Sequence, residues 1–185
     1  MMTLIIGGSG SGKSSWAENY ITAVSEGKRK YYLATMRVYD EEGEKKIERH
    51  RRLRSGKGFI TIEQPESIQE ALGKMVQGEK TALLECISNL AANEMFSGET
   101  PIAAEAVTEK IVEGIRRLKG QLSHLVIVSN NVFEDGIAYD ETTMEYIRAM
   151  GQINEKLAAM AENTVEVVVG IPVVMKQGGQ TKCTF

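Results

Sequence analysis

Residues 5 to 16 read IIGGSGSGKSSW, and no other stretch restricts the fold of this 185-residue chain so tightly. Gly7, Gly12, Lys13 and Ser14 satisfy the spacing G-x-x-x-x-G-K-[ST], with an apolar run (3–8) before them and an amphipathic pattern (14–26) after them. Strand, loop and helix in that order turn the motif into a physical site. Through Gly7, Gly8, Ser9, Gly10, Ser11 and Gly12 the backbone can curl until successive N–H groups face inward around phosphate oxygens. The first turn of the helix adds free N–H groups and the positive end of its dipole. Lys13 is then placed to neutralise β/γ charge, and the Ser14 hydroxyl to ligate Mg²⁺.

The loop specifies a nucleoside triphosphate, GTP or ATP, without specifying the reaction. A switch GTPase is disfavoured, because the only Thr-Lys pair, Thr181-Lys182, continues into Cys183 and Thr184 and lacks the Asp of a base-reading motif.

The rest of the chain alternates short β-rich runs with helical patterns. Strands are expected at 3–8, 30–35, 59–63, 81–88, 124–130 and 165–170, several of them too apolar to have a wet face. Helices are expected at 14–26, about 40–54, 66–77, 101–122 and 140–162. Continuously apolar strands separated by helices indicate a mostly parallel sheet covered on both sides. The expected architecture is therefore a single α/β domain over 1–185, P-loop NTPase-like, with a mobile tail from about 176. In the fourth helix Val107, Ile111, Ile115, Leu118 and Leu122 make one buried stripe, with Pro101 just inside its start and Gly120 near its end. The nine methionines are read as core filler.

Hydrophobic residues make up 42% and charged residues 25%, as in an ordinary globular protein. No run approaches the roughly 18 apolar residues needed to span a bilayer, and no signal-peptide pattern precedes the first strand, so a cytoplasmic protein without a membrane span is expected. Cys86 and Cys183 are far apart, which disfavours zinc and a disulfide; they read as a small core residue and a tail residue. His124, before a strand and without an evident partner, reads as structural.

A net charge of −3 argues against a nucleic-acid binder, but the charge is unevenly placed. Residues 44 to 57, EKKIERHRRLRSGK, hold seven cations against two carboxylates, a local charge of +5 that leaves −8 for the remainder. With Asp40 as N-cap, Lys46, His50 and Arg54 share one helix face. Cations around His50 disfavour its charged form and leave a neutral, nucleophilic imidazole. Guanidinium groups could hold phosphate oxygens while that ring attacks phosphorus. The plainer reading is a histidine on a solvated basic face. An RNA-binding module has little support, since no aromatic residue interrupts 44–57 to stack on bases.

Segments in consistent order now define a resemblance: LIIGGSGSGKSSWAE at the start, YYLATM (31–36), KIERHRRLR (46–54), ITIE (60–63), LLECIS (83–88), VIVSNNV (126–132) and GQINEKLAAMAENTVEVVVGIPV (151–173). In these the chain resembles the bifunctional adenosylcobinamide kinase / adenosylcobinamide-phosphate guanylyltransferase family of cobalamin biosynthesis. The resemblance implies that His50 accepts GMP from GTP, that Arg51 and Arg54 are the basic positions following it, and that Glu63 contacts nucleotide. It further implies that Glu85 suits Mg²⁺ near the phosphate loop and that Ala34, Thr35 and Met36 line the nucleotide site. Adenosylcobinamide and its phosphate are the implied partners, and a homotrimer the implied assembly. Two segments depart from the family pattern: Ser55 onward, where an Arg-Pro pair and a Trp are usual, and 131–145. A single-function kinase of another small-molecule alcohol remains the alternative.

Overall fold

The computed structural model describes residues 1–37, 52, 56–131, 136–137 and 139–181. Six strands run parallel: β1 (Met2–Ile6), β2 (Arg29–Ala34), β3 (Phe59–Glu63), β4 (Lys80–Glu85), β5 (His124–Val128) and β6 (Asn163–Val168). Two more, β7 (Ile171–Gln177) and β8 (Gln180–Thr181), continue the sheet antiparallel. The order across the sheet is β3-β2-β4-β5-β1-β6-β7-β8. Among the described residues four α-helices, α1 (Lys13–Val24), α2 (Ile87–Met95), α3 (Ala104–Gln121) and α4 (Glu141–Met160), accompany it, with a 3₁₀ helix at Ile68–Lys74.

The period of two along each strand divides its apolar residues between two cores. Leu4, Tyr31, Leu33, Ala82, Leu84, Leu125 and Ile127 point to the side where α2, α3 and α4 pack. Their neighbours Ile5, Tyr32, Leu83, Val126 and Val128 point to the other side, against Ala17 and Ile21 of α1. Strands buried on both faces cannot alternate apolar with polar, which is why β4 and β5 read as continuous runs. The fold is thus α/β and P-loop NTPase-like, a mostly parallel sheet with helices on both faces.

Within α3 the expected stripe is buried from Val107 to Leu118, and Leu122 stays buried just past the last helical residue. Pro101 lies ahead of the helix, whose first residue is Ala104, not inside its start. A Cβ at Gly114 would lie 2.8 Å from both Gln69 Oε1 and Ile68 Cγ2, so that glycine lets the 3₁₀ helix approach α3. Asp140 caps α4, its Oδ1 accepting from Thr143 N–H at 3.0 Å.

Several expectations are corrected. The strand expected over 81–88 stops at Glu85, and Ile87, Leu90, Ala91 and Met95 turn instead into the buried stripe of α2. The helix expected over 66–77 is a 3₁₀ helix of seven residues, entered through Ser67 at φ 46. The last parallel strand ends at Val168, because Val169 (φ 43) and Gly170 (φ 84) make a turn into β7. Residues 176–181 of the expected mobile tail are paired, Lys176 with Thr181 and Gln177 with Gln180; 182–185 lie outside the described residues. The helix expected at about 40–54 also lies outside them.

His124 has partners after all. It is 3% exposed, its Nε2 lies 3.0 Å from Thr3 Oγ1, and Tyr20 meets its ring edge-on at 5.6 Å. Burial, with a smaller push from the nearby N-terminal ammonium, lowers its pKa from 6.5 to about 4. The unfolded chain takes up this proton near pH 6.5 and the folded one only near 4, so stability is expected to fall as pH drops through that window, by up to about 3 kcal/mol. Urea melts between pH 7 and 4 check this: His124→Gln, which keeps a polar atom near Thr3 but does not titrate, should flatten the dependence.

Candidate active site

The C-terminal ends of the parallel strands form the edge at which ligands bind in open α/β sheets. β1 leaves its ladder there and the chain makes the Gly7–Gly12 loop before α1 begins. The helical ladder opens with Trp16 N–H donating to Gly12 C=O at 3.0 Å, which leaves the N–H groups of Lys13, Ser14 and Ser15 unused inside the helix. Gly12 stands at φ 88, a left-handed conformation that presents this first turn with no side chain in the way. Lys13, 8% exposed, folds its ammonium back over the loop and donates to Gly8 C=O at 2.9 Å. Burial lowers its pKa, while the carboxylate of Glu85 opposes that shift. Among the described residues, Ser11 Oγ is a buried donor without a hydrogen-bond partner.

The loop is gripped from two neighbouring strands. Asn131 N–H donates to Gly7 C=O at 3.2 Å from the end of β5, and Gly170 N–H donates to Ser11 C=O at 2.8 Å from the β6–β7 turn. A Cβ at Gly7 would come within 2.6 Å of both Val167 C=O and Ser11 Oγ, so only glycine fits there.

A second wall comes from strand register. Ala34 pairs with Glu63 on one side and Glu85 on the other, which puts the ends of β3, β2 and β4 level. Tyr32 OH donates to Glu85 Oε2 at 2.9 Å and fixes that carboxylate. Thr35 is fully buried, and its hydroxyl serves the scaffold: it donates to Cys86 C=O and accepts from Cys86 N–H, each at 2.8 Å. Asn93 Nδ2 donates to Thr35 C=O at 2.7 Å and to Pro65 C=O at 2.9 Å, locking the two loop starts together. Ala34 and Met36 are half-buried beside this junction, and Glu63 is exposed on the outer strand. Gly8, Ser9 and Gly10 are exposed at the loop's crest, and Ser14 is half-buried below it. His50, Arg51 and Arg54 lie outside the described residues.

Sequence reasoning missed a polar network beside Glu85. Asn130 Nδ2 donates to Ser88 Oγ at 2.7 Å, Cys86 Sγ lies 3.0 Å from that oxygen, and Tyr146 OH donates to Ser88 C=O at 3.2 Å. Burial pushes the Cys86 thiol up and the Tyr146 phenol to about 12, so both stay protonated. Ser129 Oγ donates to Asn154 Oδ1 at 2.6 Å, and Asn154 Nδ2 reaches Asn130 C=O at 3.4 Å. The segment 151–173 that carries part of the resemblance thereby acquires a structural meaning: its Asn154 holds the β5 end that grips Gly7.

The donor set suits Mg²⁺. Glu85 and Ser14 offer hard oxygens, and this ion is bound through one or two protein ligands plus phosphate and water, not by an all-protein cage. The unpartnered Ser11 hydroxyl and the free N–H groups suit phosphate oxygens.

A family model described as "Cobinamide kinase / cobinamide phosphate guanyltransferase" matches residues 3–175. Two curated relatives, each a "Bifunctional adenosylcobalamin biosynthesis protein CobU", come from Escherichia coli (strain K12) and Salmonella typhimurium (strain LT2). Each is 26% identical over 185 residues, covering 95% of this chain and 100% of the relative. Among solved structures, the flagellar accessory protein FlaH from Methanocaldococcus jannaschii shares the fold at TM-score 0.50 and 11% identity, covering 96% of this chain and 78% of its own. The match across nearly the whole chain, on a phosphate loop built as its sequence requires, places this protein in the cobinamide kinase / cobinamide phosphate guanyltransferase family of transferases.

Proposed function

We propose that the protein performs two phosphate transfers at the strand-end site. In the first, the nucleoside triphosphate held by the loop, ATP or GTP, gives its γ-phosphoryl to the aminopropanol hydroxyl of adenosylcobinamide. That oxygen bonds to phosphorus as the β–γ bridge breaks, and the hydroxyl proton leaves to solvent. Lys13 and the loop N–H groups take up the charge developing on the phosphate oxygens. Mg²⁺, held through Ser14 and Glu85, supplies further charge neutralisation when bound.

In the second transfer a nitrogen of His50 attacks the α-phosphorus of GTP, breaking the α–β bridge and releasing pyrophosphate. A phosphoramidate-linked GMP remains on the ring. An oxygen of adenosylcobinamide phosphate then displaces the histidine, giving adenosylcobinamide-GDP and restoring the imidazole. Splitting one condensation into two displacements is what a covalent intermediate contributes. Arg51 and Arg54 hold phosphate oxygens, and Ala34, Thr35, Met36 and Glu63 border the nucleotide.

The observation that carries the reading is the placement of Lys13 Nζ over the loop at Gly8 C=O, in electrostatic reach of Glu85. The whole chain acts as one catalytic domain in the cytoplasm, where its triphosphate substrates are held. The assembly is a homotrimer, supported by Val169, Ile171, Val173, Val174 and Met175, which the β6–β7 hairpin leaves exposed.

Three outcomes are expected. GTP labelled in its α-phosphate should leave an acid-labile, base-stable label on the protein, and His50→Ala should abolish it; a variant that labels as well as wild type removes His50 from the mechanism. Nucleoside diphosphate formation on an alcohol, with no adduct in wild type, points instead to a single-function kinase. Lys13→Ala should slow both transfers by on the order of 100-fold or more, read as separate initial rates. Light scattering should give three times the chain mass, and Ile171→Lys with Val173→Lys should lower it.

A further inference from the structure

The polar network beside Glu85 ends on a surface that the two transfers leave unused. Tyr146, half-buried on α4, donates from its OH to Ser88 C=O at 3.2 Å, and its ring meets that of Phe96 at 6.5 Å with a 37° tilt. Phe96 follows the last residue of α2 and is 44% exposed. Ile102 N–H donates to Met95 C=O at 2.9 Å, which returns the chain to the same helix end, and Ile102 is 39% exposed. The height of this surface follows from α4. Ser129 Oγ donates to Asn154 Oδ1 at 2.6 Å, so Asn154 stands level with the end of β5. From there the helix runs back toward the strand starts, where Glu162 N–H donates to Met2 C=O at 3.1 Å. Tyr146 precedes Asn154 by eight residues, about 12 Å along the helix axis. The aromatic pair therefore stands beyond the strand ends, over the edge where the phosphate loop opens. A chain of contacts joins the two: Tyr146 to Ser88, Asn130 Nδ2 to Ser88 Oγ at 2.7 Å, and the next residue, Asn131, to Gly7 C=O at 3.2 Å.

We propose that Phe96, Tyr146 and Ile102 seat the macrocycle of adenosylcobinamide, so that its hydroxyl-bearing arm passes Ser88 and Asn130 to reach the phosphate loop. The proposal rests on the phosphoryl transfer described above and names where its acceptor binds. A corrin ring is a broad, largely apolar body edged by amide arms, and one arm carries the accepting hydroxyl. Such a ligand needs apolar surface for its body, a polar track for that arm, and a distance between the two, because the body is too wide to enter the loop. The three side chains supply the first, Ser88 and Asn130 the second, and the rise of α4 beyond β5 the third. Covering the exposed parts of Phe96 and Ile102 favours binding in proportion to the apolar area removed from water, and the Phe96 ring adds close dispersion contacts. Sites for small molecules commonly pair such a wall with a few convergent polar groups. Lys13 and the free loop N–H groups, which hold the triphosphate in this reading, lie at the other end of the contact chain. Phe96 thus sets acceptor affinity and leaves the transfer itself untouched.

The experiment measures initial rates of phosphoryl transfer on the full chain, first varying adenosylcobinamide at saturating ATP and then varying ATP. Phe96→Ala should raise the KM for adenosylcobinamide about tenfold, the order expected for losing one aromatic contact with a ligand. Its kcat and its KM for ATP should stay within about twofold of wild type, which also shows that the variant is folded. Equilibrium dialysis of adenosylcobinamide, followed by its own visible absorbance, should show the same loss of affinity, and Phe96→Trp, which keeps a ring, should restore it. Unchanged affinity in Phe96→Ala, or an equal rise in both KM values, overturns the assignment. So does a lower mass by light scattering with unchanged affinity, which gives the face to a second copy of the chain. A wild-type protein that phosphorylates another alcohol and neither binds nor phosphorylates adenosylcobinamide overturns the substrate reading and this face with it.

Discussion

Two backbone hydrogen bonds from outside the phosphate loop, Gly170 N–H to Ser11 C=O and Asn131 N–H to Gly7 C=O, hold the stretch after β1 where the chain leaves regular structure and frees N–H groups. A loop that binds anions must keep most of its donors unpaired; Ser11 N–H bonds Gly8 C=O inside the loop, but the carbonyls of Gly7 and Ser11 find no donor there. They are satisfied by neighbours. That requirement makes β1 an inner strand, with β5 on one side and β6 on the other, each delivering one N–H from just past its end. The close packing of Gly7 on Val167 C=O follows from the same arrangement.

The supports of the loop are themselves supported by amide side chains. Asn154 on α4 anchors the β5 end, while Asn93 on α2 anchors the start of the loop after β2. Both helices pack on the larger core, so the geometry of the phosphate edge is set by layers on the opposite face of the sheet from α1. The ring of Phe59 completes this linkage on the α1 side, meeting Tyr32 edge-on at 6.0 Å, and Tyr32 in turn holds Glu85.

Strands buried on both faces were legible because their apolar runs admit no alternative exposure, as in β4 and β5. The α3 stripe was legible for the same reason, since Val107, Ile111, Ile115 and Leu118 match one helical face. The change from strand to helix after Glu85 was not, because ECIS continues an apolar run whose period is ambiguous over so few residues. The β7 strand went unnoticed for another reason: its apolar residues stay exposed, so no burial pattern marks them. His124 was read as partnerless because its partners, Thr3 and Tyr20, are more than a hundred residues away in sequence.

By itself the sequence determined the phosphate loop, the family and the parallel α/β architecture, because each depends on local spacing: glycines that free a backbone, and apolar periods that name an element. Tertiary structure decided which atoms do the holding. Ala34, Glu63 and Glu85 come level only through strand register, Thr35 turns out to spend its hydroxyl on Cys86, and Glu18 finds Lys57 across the turn before β3. Such contacts join residues tens of positions apart, and their geometry is fixed by packing of the whole sheet, which no local pattern encodes.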